Sequence, residues 1–566
     1  MSDSIGYVVG GGLKEGLRVR LTVSADSVQE GSFVVCESGN WRYYGLITDL
    51  QLGATDPRFA DERSDRMQIA VQAALLGKTL YTTMSMFTTL MQNIGPDIGT
   101  AAFEAWQDKV DAGEIQTGPR PVKTVPSHHA SVRIATAGDV AEIFKGDFVL
   151  GSTIEEPHHP VAIDLAKLVK RSSGIFGATG TGKSFLTRMV LAGVMKANVA
   201  AALVFDMHNE YGVSDIDSDR NVTVLGLQDL FGRSRVQVAA LGANTRIKGK
   251  SPDFTLELSM RDISAADIYL LGDVINLNDS AAVVLDSLEN SFRRDWFVKF
   301  MNMVPGATEV FIDDNGREKK VPAPHSVEFW ARDNNIHEKS ATALHRKLTP
   351  LHRKPYVVEK NTDPVTSIID KLTNGKHVIL SFGQFESDLD YLLVSNILTR
   401  RIREHWVKLT DKHKGENAPA PKPLMICIEE AHKLLAPHIA KRTAFGIIAR
   451  ELRKYFVTLL VIDQRPSAID DEIMSQLGTR ITGWLGDDDD IRAVLTGLAG
   501  RDQLRGMLAR LQEKEEVLLL GWGVKMPIPI RSRRYDQSFY DEMRGNQKVA
   551  KPRRTTSYND DLFGFD

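Results

Sequence analysis

The chain has 566 residues, 42% of them hydrophobic and 25% charged, with a formal net charge of −3. That length exceeds one ordinary core and predicts two or three domains, while the absence of any run near the ~18 apolar residues of a membrane span argues against a membrane protein. Met1-Ser2-Asp3-Ser4 lacks a basic and apolar leader pattern, and the only two cysteines, Cys36 and Cys427, are far apart; both features predict a cytoplasmic protein with packed thiols rather than a disulfide or metal site. The near-neutral charge leaves nucleic acid open, because a ring or groove can carry its basic surface locally.

Residues 5 to 50 alternate apolar and polar positions, as in Leu17-Val19-Leu21-Val23, broken by Gly10-Gly11-Gly12, Gly31 and Gly39-Asn40. That pattern predicts short strands and turns. A polar stretch, Asp56 to Arg66, precedes a second strand-like run from Leu80 to Met91, and Ala101 to Val110 carries Phe103, Trp106 and Val110 on one helical side. Residues 1–150 are therefore expected to form a β-rich domain, a barrel.

Residues 174 to 184, Gly174-Ile175-Phe176-Gly177-Ala178-Thr179-Gly180-Thr181-Gly182-Lys183-Ser184, fit the phosphate-binding pattern G-x-x-x-x-G-K-[ST] at every fixed position. Glycines let successive backbone N–H groups surround phosphate oxygens, and the next helix directs its positive end to the same charge. Gly177, Ala178, Thr179, Gly180, Thr181 and Gly182 are assigned to the cradle, with Phe185 just behind it. Lys183 is assigned to the β and γ phosphates of ATP, and Ser184 to Mg2+. The flanks support this reading: Ile175-Phe176 approach as a strand, and Leu186, Met189, Val190 and Val194 follow at helical spacing.

The run Ala201 to Phe205, ending in Asp206, reads as a central parallel strand. Asp206-Met207-His208-Asn209-Glu210-Tyr211 follows it, with a role expected at the nucleotide edge or a subunit contact. The α/β domain is assigned to residues 151–226 and 366–530, interrupted by a mainly helical insertion at 227–365, in which Val310-Phe311-Ile312 and Lys320-Val321 form a hairpin across Asp314-Asn315-Gly316. Leu424 to Ile428 is an apolar strand ending in Glu429-Glu430, expected beside the phosphate-loop strand. There Glu429 would support Mg2+ through its water shell and Glu430 would orient or deprotonate the attacking water. Val461-Ile462-Asp463-Gln464 ends another strand, and Gln464 is a candidate reader of the γ phosphate. Asp487 to Asp490 reads as a helix start. Residues 531–566 form a basic extension; from Arg531 to Arg554 eight Lys or Arg face three Asp or Glu.

Taken together, the phosphate loop, Phe205 to Tyr211, Glu429-Glu430-Ala431-His432, Arg450-Glu451-Leu452-Arg453-Lys454 and Gln464-Arg465-Pro466-Ser467 resemble the HerA family of DNA translocases, relatives of FtsK. The resemblance covers most of the chain, the 227–365 insertion and the last 30 or so residues matching poorly, and Glu429 stands where the family often has Asp. It implies a RecA-like P-loop ATPase domain behind an N-terminal barrel, and a homo-hexameric ring with ATP sites between subunits. It also implies DNA in the central channel and a nuclease or sirtuin-like effector partner, in DNA end processing or antiphage defence. Arg450 and Arg171 are the candidates for an arginine acting across the subunit boundary, and Lys441 and Arg442 for channel contacts or a merely solvated face. Two rival readings are a conjugation or secretion motor and a ring scaffold that regulates a bound enzyme. The absence of an Asn-Lys-x-Asp selector and of a Leu-Ser-Gly-Gly-Gln signature argues against GTPase and ABC-transporter readings.

Overall fold

The computed structural model describes residues 4–55, 80–217, 222–312, 318–359, 363–416 and 418–545. The stretch Asp56 to Arg66, the turn Asp314-Asn315-Gly316 and the basic tail from residue 546 to Arg554 lie outside the described residues.

The N-terminal strands Ser4–Gly12, Gly16–Leu21, Phe33–Ser38, Trp41–Ala54, Leu80–Asn93 and Ser131–Ile134 close into a six-stranded barrel, because Gly16–Leu21 pairs with Leu80–Asn93 as well as with the first strand. Two-residue periodicity gives these strands two apolar faces. Val34 and Cys36 join Val8, Val19, Met86 and Val132 in the barrel's own core, whereas Phe33 and Val35 on the opposite face share the core of the following domain.

That second domain is built on a twelve-stranded sheet. In spatial order its strands are Phe254–Leu256, Val236–Leu241, His377–Ser381, Ala201–Asp206, Leu424–Ile428, Val457–Asp463, Ser173–Phe176, Thr479–Thr482, Glu516–Gly521, Ile528–Ser532, Phe148–Thr153 and Pro160–Ile163. The first eight run parallel and the rest are added antiparallel. Continuous apolar runs suit the central strands because helices cover both faces.

Three features differ from the sequence reading. The acid strand Leu424–Ile428 is not beside the phosphate-loop strand Ser173–Phe176; Val457–Asp463 lies between them, so its terminal Asp463-Gln464 stands between the loop and the acids. The 227–365 segment opens with the short helix Leu227–Phe231 and then lends the sheet Val236–Leu241 and Phe254–Leu256 before its larger helices. Those runs are short, and the helical composition around them hides them. Ile528–Ser532 is a sheet strand, and the helix Gln537–Arg544 packs on the phosphate-loop helix Lys183–Ala197, so the start of the basic extension belongs to the ATPase domain. The remaining insertion is a helical layer cored by Trp296, Phe297, Phe300 and Trp330, plus the exposed hairpin Thr308–Ile312 with Glu318–Pro322.

Candidate active site

The phosphate loop joins the end of a buried strand to the start of a fifteen-residue helix. Gly177, Gly180 and Gly182 adopt positive φ of 154°, 81° and 87°, and a Cβ on Gly177 would sit 2.6 Å from Thr181 Oγ1, so the tight path needs glycine. Thr181 Oγ1 donates to the Ala178 carbonyl at 2.8 Å, while Lys183 Nζ donates back to the Gly177 and Ala178 carbonyls at 2.8 and 2.9 Å. Burial lowers the Lys183 pKa, and the nearby Glu430, Asp463, Glu210 and Glu429 oppose that fall. Ser184 is half-buried on the helix's first turn. Phe185 lies 6.3 Å from the Tyr535 ring, and the Arg188 guanidinium stands over it at 5.3 Å.

The acid strand delivers its two glutamates differently. Glu429 is buried: Oε1 accepts from Tyr211 Oη at 2.6 Å and Oε2 from the Met207 N–H at 3.2 Å. Burial first, then the charge of neighbouring Asp206, pushes its carboxyl well above the ordinary range. Asp206 is likewise raised by burial, although it accepts the N–H groups of Glu210, Tyr211 and Gly212. Glu210 Oε2 is buried without a hydrogen bond. Asp206, Glu210 and Glu429 thus gather acidic groups short of positive charge beside Lys183, chemistry that a divalent cation would correct. This acidic character fits a divalent cation, for which Ser184 and Glu429 are the candidate holders.

Glu430 has a positive φ of 45°, which a non-glycine residue adopts only where its surroundings hold it. Its Oε2 accepts from Gln464 Nε2 at 3.4 Å, and Gln464 Oε1 accepts from Thr179 Oγ1 at 2.6 Å. A continuous chain of polar contacts therefore runs from the phosphate loop through Gln464 to Glu430. The carboxylate of Asp463 accepts the His432 backbone N–H at 2.6 Å and the Arg465 N–H at 2.7 Å. His432 and Asp463 were not singled out from sequence; a histidine two residues past the acid and an aspartate ending the next strand are the signals that mark them.

The two arginines stand apart from this cluster. Arg450 is tied within its own chain, to Glu472 at 2.8 Å and Asp470 at 3.6 Å. Arg171 precedes the phosphate-loop strand, at the opposite end from the loop, with its guanidinium 4.1 Å from the Trp522 ring. Lys441 and Arg442 are exposed after the short helix Pro437–Ala440. Asp487 caps the helix Asp488–Leu495 by accepting from the N–H groups of Asp489 and Asp490.

Residues 148–402 match the family model described as Helicase HerA, central domain. The chain therefore carries a HerA-type central domain. It is 23% identical over 543 residues to the DNA double-strand break repair helicase HerA of Sulfurisphaera tokodaii, covering 94% of this chain and 93% of that one. The HerA helicase of Saccharolobus solfataricus is also 23% identical, with 93% and 91% covered. Among solved structures, VirB4 of Thermoanaerobacter pseudethanolicus matches at 16% identity and TM-score 0.40 over 70% of this chain and 98% of that one. The plasmid coupling protein TrwB matches at 14% and 0.43, over 72% and 94%. With a HerA-type central domain and an intact phosphate loop, the chain is an ATPase. No helix among the described residues is long and apolar enough to cross a membrane.

Proposed function

We propose that this HerA-type ATPase moves DNA, with ATP and Mg2+ as its cofactors. The observation that carries the catalytic half is the polar chain from Thr179 through Gln464 to Glu430, which connects the phosphate cradle to one carboxylate. In this reading the loop N–H groups and Lys183 grip the β and γ phosphates, and Glu430 takes a proton from the attacking water. The water oxygen bonds to the γ phosphorus as the bond to the ADP oxygen breaks. Bound Mg2+, held by Ser184 with Glu429 supporting it, would supply charge neutralisation on the phosphates. Gln464 touches both loop and base, so it is placed to register loss of the γ phosphate.

The DNA half is supported by the HerA helicases named above, whose similarity spans nearly the whole chain. We place the protein in the cytoplasm as a homo-hexameric ring around duplex DNA, working with a nuclease or sirtuin-like effector in end processing or antiphage defence. Two variants test the assignment. Lys183→Ala is expected to lose binding of a fluorescent ATP analogue, whereas Glu430→Gln keeps binding within about threefold and loses turnover by roughly 10² to 10⁴. Equal loss of binding in both would show that Glu430 belongs to the cradle. Hydrolysis by the parent protein that ignores added duplex DNA would remove the motor from the proposal.

A further inference from the structure

Two side chains approach Glu430 at one atom, Gln464 within hydrogen-bond range and His432 at ion-pair distance. Glu430 Oε2 faces Gln464 Nε2 at 3.4 Å and His432 Nδ1 at 3.6 Å, while no hydrogen bond reaches Oε1 among the described residues. His432 is itself fixed. Its ring Nδ1 lies 3.0 and 3.2 Å from the two Asp463 oxygens, and its backbone N–H donates to the same carboxylate. Asp463 is buried and rigidly placed, ending a strand that pairs on both sides and also accepting the Arg465 N–H. A carboxylate against Nδ1 places the proton on that nitrogen, so the ring can present Nδ1–H between Asp463 and Glu430. One carboxylate oxygen of Glu430, one of Asp463 and a ring nitrogen of His432 all lie within 4.8 Å of one another.

We propose that His432, anchored by Asp463, is the positioning residue of the hydrolysis step, holding Oε2 of Glu430 so that Oε1 stays free to accept the proton of water. The inference rests on the reading of Glu430 as the base. Without the imidazole the carboxylate keeps only the single Gln464 contact and can turn about its side-chain torsions. ATP affinity, which comes from the loop, is untouched by that loss. Loss of carboxylate orientation costs rate because proton abstraction needs the acceptor within hydrogen-bond reach of water.

The test uses the full-length protein with saturating ATP, Mg2+ and duplex DNA. His432→Ala is expected to lower kcat at least about tenfold with KM and analogue binding within about threefold. His432→Asn, whose side-chain amide can place an N–H near the position of Nδ1, is expected to recover kcat to within about threefold of the parent. A merely structural histidine would instead lower thermal stability in both variants, or shift KM with kcat. Glu430→Gln separates the two failures. If it stays active, the reading of Glu430 falls; if it is inactive while His432→Ala turns over at the parental kcat, the positioning role alone is overturned.

Discussion

Two carboxyl groups buried beside each other cannot both ionise without positive charge nearby, and Asp206 and Glu429 stand in that situation. Tyr211 Oη and the Met207 N–H satisfy Glu429 without neutralising it. A magnesium ion near Ser184 would favour the ionised form of Glu429, and the ionised form would in turn hold the metal's water shell. Glu429→Gln is therefore expected to raise the Mg2+ concentration for half-maximal hydrolysis by about 10 to 100-fold, the usual effect of losing a supporting contact to a metal site. A Mg2+ titration at saturating ATP checks this, and an unmoved midpoint would leave Glu429 with a packing role only.

The elements carry a different kind of charge. Glu155 lies just beyond the strand Phe148–Thr153, where the Gln29 amide donates to the Ile154 carbonyl at 3.1 Å and ties barrel to ATPase domain. Burial pushes its carboxyl up from the ordinary 4.5 to about 7. Between those values the folded state holds a proton that the unfolded chain has released. Stability from this group is thus full below pH 4.5, falls as pH rises towards 7, and is flat above, a change of about 3 kcal/mol. Glu155→Gln is expected to flatten that fall in denaturant titrations at pH 5 and pH 8; an equal fall in parent and variant would place the titration elsewhere.

What could be read from sequence at this scale follows local signal. Barrel strands and the phosphate loop announce themselves by alternation and by a fixed motif. The strand Val236–Leu241 does not, because six residues, all but Gln237 apolar, beside a helical stretch carry no period of their own. Glu430 and Gln464 were legible as strand-end polar groups, yet their contact spans 34 residues of chain and depends on which strands are neighbours. The same holds for His432 with Asp463. Sheet order is a tertiary fact, and no spacing in the sequence encodes it.

In the proposed ring, the two arginines part company. Arg450 is pinned to Glu472 and Asp470 inside its own subunit, whereas Arg171 sits at the end of the phosphate-loop strand remote from its own loop. A four-residue strand spans roughly 13 Å, too far for Arg171 to reach its own γ phosphate but open to a neighbour's. Mixing Lys183→Ala with Arg171→Ala subunits is therefore expected to restore hydrolysis that neither variant shows alone, since some interfaces then pair an intact loop with an intact arginine. Subunits that exchange freely yet stay inactive would exclude Arg171 as the group acting in trans.

The helix Gln537–Arg544 and the residues just before it brace the phosphate-loop helix: Tyr535 meets Phe185 and Arg188, and Lys196 Nζ donates to the Glu542 carbonyl, while Phe539 meets Phe148 on the strand Phe148–Thr153. During synthesis these partners emerge some 350 residues after Lys183, a lag of roughly 20 to 70 s at the usual pace of translation. A nascent chain therefore exposes the apolar side of its phosphate-loop helix throughout that interval, and a premature stop codon as late as position 533 would act as a lesion of the ATP site.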